Sequence, residues 1–161
     1  MRSLFNLLLR LARCSSGSAL VEMTIIVPVA ISLMAGGVDF GMALSTQATG
    51  SKSVRDAARY LATVPASAVC GWGLTNAQNL AVYGKLNPVT GVDLPLITGW
   101  SATGGPNNHV DLLQPTDCTT SFTIIQLQAE FPYNSIMLSA ILPNVSTLTL
   151  SAEQEERHIG E

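Results

Sequence analysis

The sequence predicts an α+β protein, in which a long N-terminal helix with a transmembrane first half carries a small antiparallel β-sheet domain packed on its outer half. Three observations support this prediction. Residues 23–38 form a run of sixteen without a charged side chain. The pattern after this run stays helical as far as Val64. Two later segments alternate apolar and polar residues with the period of a strand.

The uncharged run, MTIIVPVAISLMAGGV, extends with its mild flanks from Ser18 to Phe40. At about 1.5 Å per residue it gives about 34 Å of helix, which is enough to cross a bilayer. Glu22 and Asp39 lie near its two ends. A helix buried inside a soluble domain is the alternative, but it needs apolar cover on all sides, and the rest of the chain does not supply it.

Basic residues lie mainly before the run. Its leading segment holds Arg2, Arg10 and Arg13 and no acid, whereas the chain after Leu61 holds two basic and eight acidic residues. The positive-inside rule therefore predicts a cytoplasmic N-terminus, with everything after Phe40 outside. Such an acidic domain repels nucleic acid and anionic membrane surfaces, so we expect no nucleic-acid partner.

A cleaved secretory signal is a competing interpretation of the N-terminus. It would need cleavage after the apolar run, near residues 35–37. The leading segment is long for such a signal, and Glu22 would lie inside its apolar region. We therefore divide the chain into a leader (1–17), a transmembrane helix (18–40), a helical extension outside the membrane (41–64) and a small α+β domain (65–161).

Two features of the apolar helix suggest specific roles. Pro28 removes one backbone hydrogen bond, so we expect a kink there. Gly37 and Gly41 form a GxxxG face, a pattern that lets two helices approach closely in a membrane. Beyond Phe40, four apolar residues can share one face of the extension, which Pro65 ends. They are Met42, Val54, Ala58 and Leu61.

In the last hundred residues, the sequence pattern changes from one long helix to short elements and loops. TNAQNLAVYG predicts a short helix with Thr75 as N-cap and Gly84 just after its end. We expect a short strand at 92–97 and another at HVDLL. The clearest strand is SFTIIQLQAEFPY, and STLTLSAEQEER alternates through Leu148 and Leu150. The side chains of the clearest strand that we expect to face the core are Thr123, Ile125, Leu127, Ala129 and Phe131.

The three cysteines fit the proposed topology. Cys14 would lie on the cytoplasmic side, where thiols stay reduced, whereas Cys70 and Cys118 would lie outside, where disulfides form. A Cys70–Cys118 bridge would close a long loop and, in the chain-entropy model, raise the free energy of unfolding by about 4 kcal/mol. Two unpaired buried thiols are the alternative.

No pattern typical of catalysis stands out. The segment GSKS at 50–53 lacks the order of a phosphate-binding loop. His109 and His158 have no partners at metal-ligand spacing, and we expect both at the surface. The acids of Glu153–Glu156 suit a solvated strand end. We expect no enzyme, no cofactor, no metal site and no small-molecule substrate.

A resemblance emerges from motifs spread over residues 15–62. GSALVE places a glutamate five residues after a glycine, at the start of an apolar run and behind a basic leader. An early proline, then DFG at 39–41 and AARY at 57–60, complete the set. The string resembles the TadE-like proteins of the tight adherence (Tad) pilus system, and the closing LTLSAEQEERHIG is similar to their C-terminus. Residues 65–145 carry no motif of this kind.

The resemblance implies a function and a set of sites. It implies a pseudopilin or minor pilin of the bacterial inner membrane, with a periplasmic domain and other pilins or pseudopilins as partners. A prepilin peptidase would cut between Gly17 and Ser18. Glu22, the fifth residue of the mature chain, would pair with the N-terminal amine of a neighbouring subunit. Buried together, the two charges cost far less than either alone.

Three functions remain open at this point. The first is the structural assembly protein, which could also be incorporated in a surface pilus. The second is an uncleaved single-pass anchor that carries a periplasmic binding domain. The third is a periplasmic enzyme. The N-terminal mass of the mature protein separates the first two, since cleavage predicts a start at Ser18. For Glu22, a simple position at the membrane edge, in contact with water and headgroups, is the alternative role.

Overall fold

The structure is a computed structural model, and it describes residues 15–89, 91–116, 118, 122–137, 139 and 147–160. One helix, α1, runs unbroken over Ser15–Thr63. A short turn of helix, α2 (Ala66–Ala68), and a π-helical turn, Val69–Gly73, lead into α3 (Leu74–Tyr83). The strands are β1 (His109–Gln114), β2 (Ile124–Asn134) and β3 (Thr147–Arg157). This confirms the predicted α+β class.

The three strands form one antiparallel sheet in the order β1-β2-β3. β2 and β3 pair along their whole length, from Ile124 opposite Arg157 to Asn134 opposite Thr147. β1 pairs only with the first part of β2, and its pairing ends where His109 lies opposite Glu130. Among the described residues, Phe131–Asn134 therefore pair with β3 alone, and this part of β2 is the closest to the apolar half of α1.

The core lies between one face of β2 and the outer half of α1. The period of two predicted this face of β2, and Ile125, Leu127, Ala129 and Phe131 are all buried. Thr123, expected on the same face, is exposed just before the strand begins. The buried residues of α1 that face this core are Val54, Ala57, Ala58, Leu61 and Ala62.

Gly50 sets the closest approach of α1 to the sheet. The ring of Phe131 lies directly over its Cα, so a Cβ at residue 50 would overlap that ring. The same ring packs against Trp100, with centroids 5.1 Å apart and an interplanar angle of 54°. Tilted aromatic pairs of this kind add to the energy gained by burial. Phe131 therefore holds together the helix, the sheet and the loop that contains Trp100.

The C-terminal tail closes the outer end of α1. The amide groups of Ile159 and Gly160 both donate to the carbonyl of Ala62, at 2.9 and 3.1 Å. The Nε2 atom of His158 lies 2.9 Å from the carbonyl oxygen of Val64, a distance at which it donates. The last carbonyls of a helix lack partners within it, and here the tail provides them.

Several expectations were wrong in detail. Thr75 is not an N-cap, because the chain enters α3 from the π-helical turn with its backbone already helical, and the helix begins at Leu74. Gly84 does end it in the left-handed conformation, with φ 68°. Segment 92–97 forms turns instead of a strand. The Asp93 carboxylate accepts a hydrogen bond from the Val89 amide at 2.8 Å, and this bond folds the loop back on itself.

The two histidines are half-buried, although the sequence suggested surface positions. His158 stacks on Phe122, with ring centroids 4.8 Å apart, besides its contact with the end of α1. His109 Nδ1 lies 3.0 Å from the carbonyl of Gly105. Both rings are placed by loop carbonyls, a role that no local sequence pattern indicates. In β3, Leu150 is half-buried, whereas Leu148 is exposed.

Candidate functional site

The apolar half of α1 is bare. Among the described residues, α1 is the one helix long and apolar enough to cross a membrane, over Ala19–Thr63. The sheet domain covers its outer half, whereas nearly all large apolar side chains of its first half are exposed. They are Leu20, Val21, Met23, Ile25, Ile26, Val27, Val29, Ile31, Leu33 and Met34. A helix that stays uncovered in the folded chain needs lipid or another helix around it.

The predicted site residues lie along this bare half and are not brought together. Gly17 and Ser18 are in the first turns of α1, and Glu22 follows one turn later as an exposed side chain. Pro28 is inside the helix, where the hydroxyl of Ser32 donates to its carbonyl at 2.8 Å. The kink expected at Pro28 stays a prediction.

The small-residue face of α1 is open. A Cβ at Gly37 or Gly41 would meet no heavy atom within 4 Å. The sheet domain therefore leaves this side of the helix free. A second helix could approach it closely, as the GxxxG pattern suggests, and that role stays a prediction.

Asp39 is the point where the sheet domain is fixed to the apolar helix. Its residue is only 4% exposed, although it follows an uncharged run. Its Oδ1 atom accepts hydrogen bonds from the amides of Ile136 and Met137, at 3.1 and 3.3 Å. The hydroxyl of Tyr133 donates to the backbone carbonyl of Asp39 at 2.9 Å and lies 3.4 Å from Oδ1. We call Asp39, Tyr133, Ile136 and Met137 the junction.

The junction supplies hydrogen bonds to the Asp39 carboxylate, whose burial would otherwise cost free energy. A buried charge is tolerated where hydrogen bonds to it replace its water, and the two backbone amides do so here. Burial raises the pKa of Tyr133, and the Asp39 carboxylate raises it further. The phenol therefore stays protonated at neutral pH and keeps its role as a donor.

From the sequence, Asp39 was placed at the membrane boundary without its bonds, and Tyr133 was not singled out. Two signals were present. Tyr133 has the same parity as the buried residues of β2, so the period of two extends to it. Asp39 is the lone acid between residues 23 and 51, which suggests a partner elsewhere in the chain.

A shallow groove of about 480 Å³ adjoins the junction. It lies between α1 at residues 42–49, the loop 96–98 and the end of β2. Its lining is mostly uncharged, with Met42, Leu96 and Pro132 among the apolar groups. In the described part of the chain, no three His, Cys, Asp or Glu side chains come together to hold a metal ion.

The sheet domain holds the two cysteines that were expected to pair, Cys70 and Cys118. Cys70, in the π-helical turn, is joined to Cys118 by a disulfide with Cα atoms 6.1 Å apart. The bridge ties the segment beyond α1 to the loop after β1. That it forms in the mature protein is a prediction that thiol titration can test.

The fold and the junction define a class: an α+β domain rigidly fixed to a single apolar helix that it leaves half bare. Comparison with protein families narrows the class. Residues 17–59 match the family model described as TadE-like protein, which confirms the resemblance that the motifs indicated. Comparisons with curated proteins and with solved structures gave no match. The match begins at Gly17 and ends one residue before Tyr60, so it covers the helix and not the sheet domain.

Proposed function

We propose that this chain is a pseudopilin or minor pilin that contributes to the biogenesis of a Tad-type pilus. The observation that carries the proposal is the bare half of α1 within the segment that matches the TadE-like family. A pilin needs a helix that is stable in the membrane and can later pack against its neighbours. Both states require an exposed apolar surface that its own domain does not cover.

The proposed maturation step is a cut between Gly17 and Ser18 by a prepilin peptidase. The match to the family begins at Gly17, directly before this bond. The leader that would be removed carries Arg2, Arg10 and Arg13 and would stay in the cytoplasm. The mature chain then starts with an amine at Ser18, one helical turn before Glu22.

Glu22 is proposed to pair with the N-terminal amine of a neighbouring subunit during assembly. Its side chain is exposed on α1, and it is the only ionisable group between residues 19 and 38. In an apolar assembly, an ammonium and a carboxylate together avoid most of the cost that each would have alone. The pair would also fix the register between neighbouring helices, as buried polar pairs do in other helical assemblies.

An uncleaved membrane anchor with a periplasmic binding domain is the second candidate. The groove beside the junction favours it, since a concave surface could bind a partner. The groove is shallow and open, however, and none of the side chains that line it is charged, so no ion pair would orient a ligand there.

The N-terminal mass of protein taken from membranes tests the proposal. A mature chain that starts at Ser18 supports processing, and a chain that retains Met1 favours the plain anchor. The cells need the prepilin peptidase, so the same measurement in a peptidase-deficient strain is the control. There the precursor should accumulate with its leader intact.

A further inference from the structure

Ile136 and Met137, which follow β2, are held at a fixed position along the apolar helix. The amides of Ile136 and Met137 both donate to Asp39 Oδ1, so these two residues lie beside Asp39. Their side chains point away from the protein, with exposed fractions of 67% and 46%. Two apolar side chains are thus displayed where the sheet domain meets the apolar run.

The depth of this point can be compared with the thickness of a bilayer. Asp39 lies 17 positions after Glu22, which corresponds to about 26 Å of helix, less than the hydrocarbon thickness of about 30 Å. If Glu22 lies at the inner boundary, Asp39 lies at or just inside the outer one. Ala35, one turn deeper, is only 7% exposed, so the protein covers this side of the helix beyond Asp39.

The charges of the domain are kept away from this end. Along α1, the first charged residue after Asp39 is Lys52, about 20 Å further out. In the paired strands, Phe131–Asn134 and their partners Thr147–Leu150 carry no charge, and neither do residues 135–137. Glu153, Glu155 and Glu156 lie toward the opposite end of β3. The acidity of the domain therefore does not oppose contact between its inner end and a membrane.

We propose that Ile136 and Met137 are a second membrane contact and insert into the outer leaflet beside the helix. Their occupant is phospholipid, because both residues are exposed beside Asp39, and the neighbours of Asp39 in α1, Val38 and Phe40, are exposed on the helix that would span the membrane. The inference rests on the membrane-spanning part of the proposed function, and it requires neither cleavage nor pilus assembly. The domain would then be held at two points and oriented on the membrane before it enters a fibre.

Tryptophan fluorescence in lipid nanodiscs tests this contact on the full chain. Ile136→Trp places the probe in the patch, and Met137→Trp is a second variant if the first is poorly folded. Neither change removes the bonds to Asp39, since the donors are backbone amides. Ile159→Trp is the matched control. Ile159 is 69% exposed, but its amide bonds to Ala62, about 35 Å further along α1.

The discs are prepared from phosphatidylcholine with or without bromine on the acyl chains. We expect brominated lipid to quench the added emission of Ile136→Trp, and its spectrum to shift to the blue relative to Ile159→Trp. The wild type contains Trp72 and Trp100 and gives the background emission. The emission of Ile159→Trp should be quenched no more than that of the wild type. The uncleaved Gly17→Val precursor carrying Ile136→Trp should give the same result.

Two results would overturn the contact. One is equal quenching of Ile136→Trp and Ile159→Trp. The other is a blue shift without quenching that is seen with several chains per disc and disappears with one. In that case a second copy of the chain, and not lipid, covers Ile136 and Met137. A chain that does not enter the discs would instead reject the membrane-spanning helix itself, together with this inference. Normal pilus assembly in cells that lack this chain, together with normal quenching, would reject only the proposed function.

Discussion

Tyr133 and Asp39 are 94 residues apart in sequence, yet the hydroxyl of Tyr133 donates to the backbone carbonyl of Asp39 at 2.9 Å. This bond joins the end of β2 to the apolar helix at the level where its uncharged run ends. Together with the two amides on Asp39 Oδ1, it fixes the sheet domain to the helix. The orientation of the domain relative to the apolar helix is therefore a property of the folded chain.

The first prediction concerns the strength of this junction. Asp39→Ala leaves the amides of Ile136 and Met137 without their acceptor, and we expect a loss of about 2–3 kcal/mol in the free energy of unfolding. Tyr133→Phe removes one bond to a carbonyl and should cost about 1 kcal/mol. Denaturation of the protein in detergent, followed by far-ultraviolet circular dichroism, measures both. Equal stability of Asp39→Ala and wild type would contradict a structural role for the junction.

The raised pKa of Tyr133 adds a dependence on pH. A phenol whose pKa is higher in the folded state stabilises that state fully below the unfolded pKa of about 10, and the contribution is lost as the pH rises through the folded pKa. Wild-type stability should therefore fall above about pH 10 more steeply than that of Tyr133→Phe. Tyr83→Phe, which keeps the junction, is the control and should retain the steep fall.

The second prediction concerns the contact between Gly50 and Phe131. Gly50→Ala introduces a Cβ that overlaps the ring, so the helix or the ring must move, and we expect a loss of about 1–3 kcal/mol. Gly41→Ala is the matched control, because its Cβ would meet nothing. It should be neutral or slightly stabilising, since alanine favours helix over glycine. A Gly50→Ala variant as stable as Gly41→Ala would mean that the helix does not approach the sheet so closely.

The third prediction counts thiols. We expect Cys70 and Cys118 to be bonded and Cys14 to leave with the leader, so the denatured mature protein should contain no free thiol. The Gly17→Val precursor should contain one, from Cys14. Titration with a thiol reagent under denaturation separates these cases. Two free thiols in the mature chain would refute the bridge.

The fourth prediction concerns processing. Gly17→Val should leave the precursor uncut, because a branched side chain crowds the scissile bond. Gly36→Val makes the same change in the same helix, at a position where a Cβ meets nothing, and it should be cut normally. Mass spectrometry of membrane-extracted protein reads both. Normal maturation of Gly17→Val would exclude a prepilin peptidase as the processing enzyme.

The fifth prediction concerns Glu22. Glu22→Ala should spare insertion, because it makes the segment more apolar, and should spare cleavage if the peptidase reads the glycine and the leader. Assembly should fall, because an amine left without its partner costs about 3–5 kcal/mol in a buried site. Glu22→Gln keeps the length of the side chain without its charge, so it should fail nearly as badly. Normal piliation of Glu22→Gln would return Glu22 to a position at the membrane edge.

The sequence alone determined the features that depend on local periodicity and composition. The uncharged run and the helical pattern after it predicted α1 to within a few residues of its observed bounds, Ser15–Thr63. The period of two gave the buried face of β2, because only one parity of that segment is continuously apolar. The motifs around Gly17 and Glu22 indicated the TadE-like family, since they combine a cleavage pattern with the helix that follows it.

The tertiary structure decided which distant residues meet. The Asp39 junction depends on where β2 ends, the close packing at Gly50 depends on the rotation of α1 over the sheet, and the capping of α1 depends on the path of residues 158–160. None of these contacts has a short-range signal, because each joins segments about 80 to 100 residues apart. Local propensity fixes the elements. The hydrogen bonds of buried Asp39 and the packing of buried Phe131 form only once the elements have packed together.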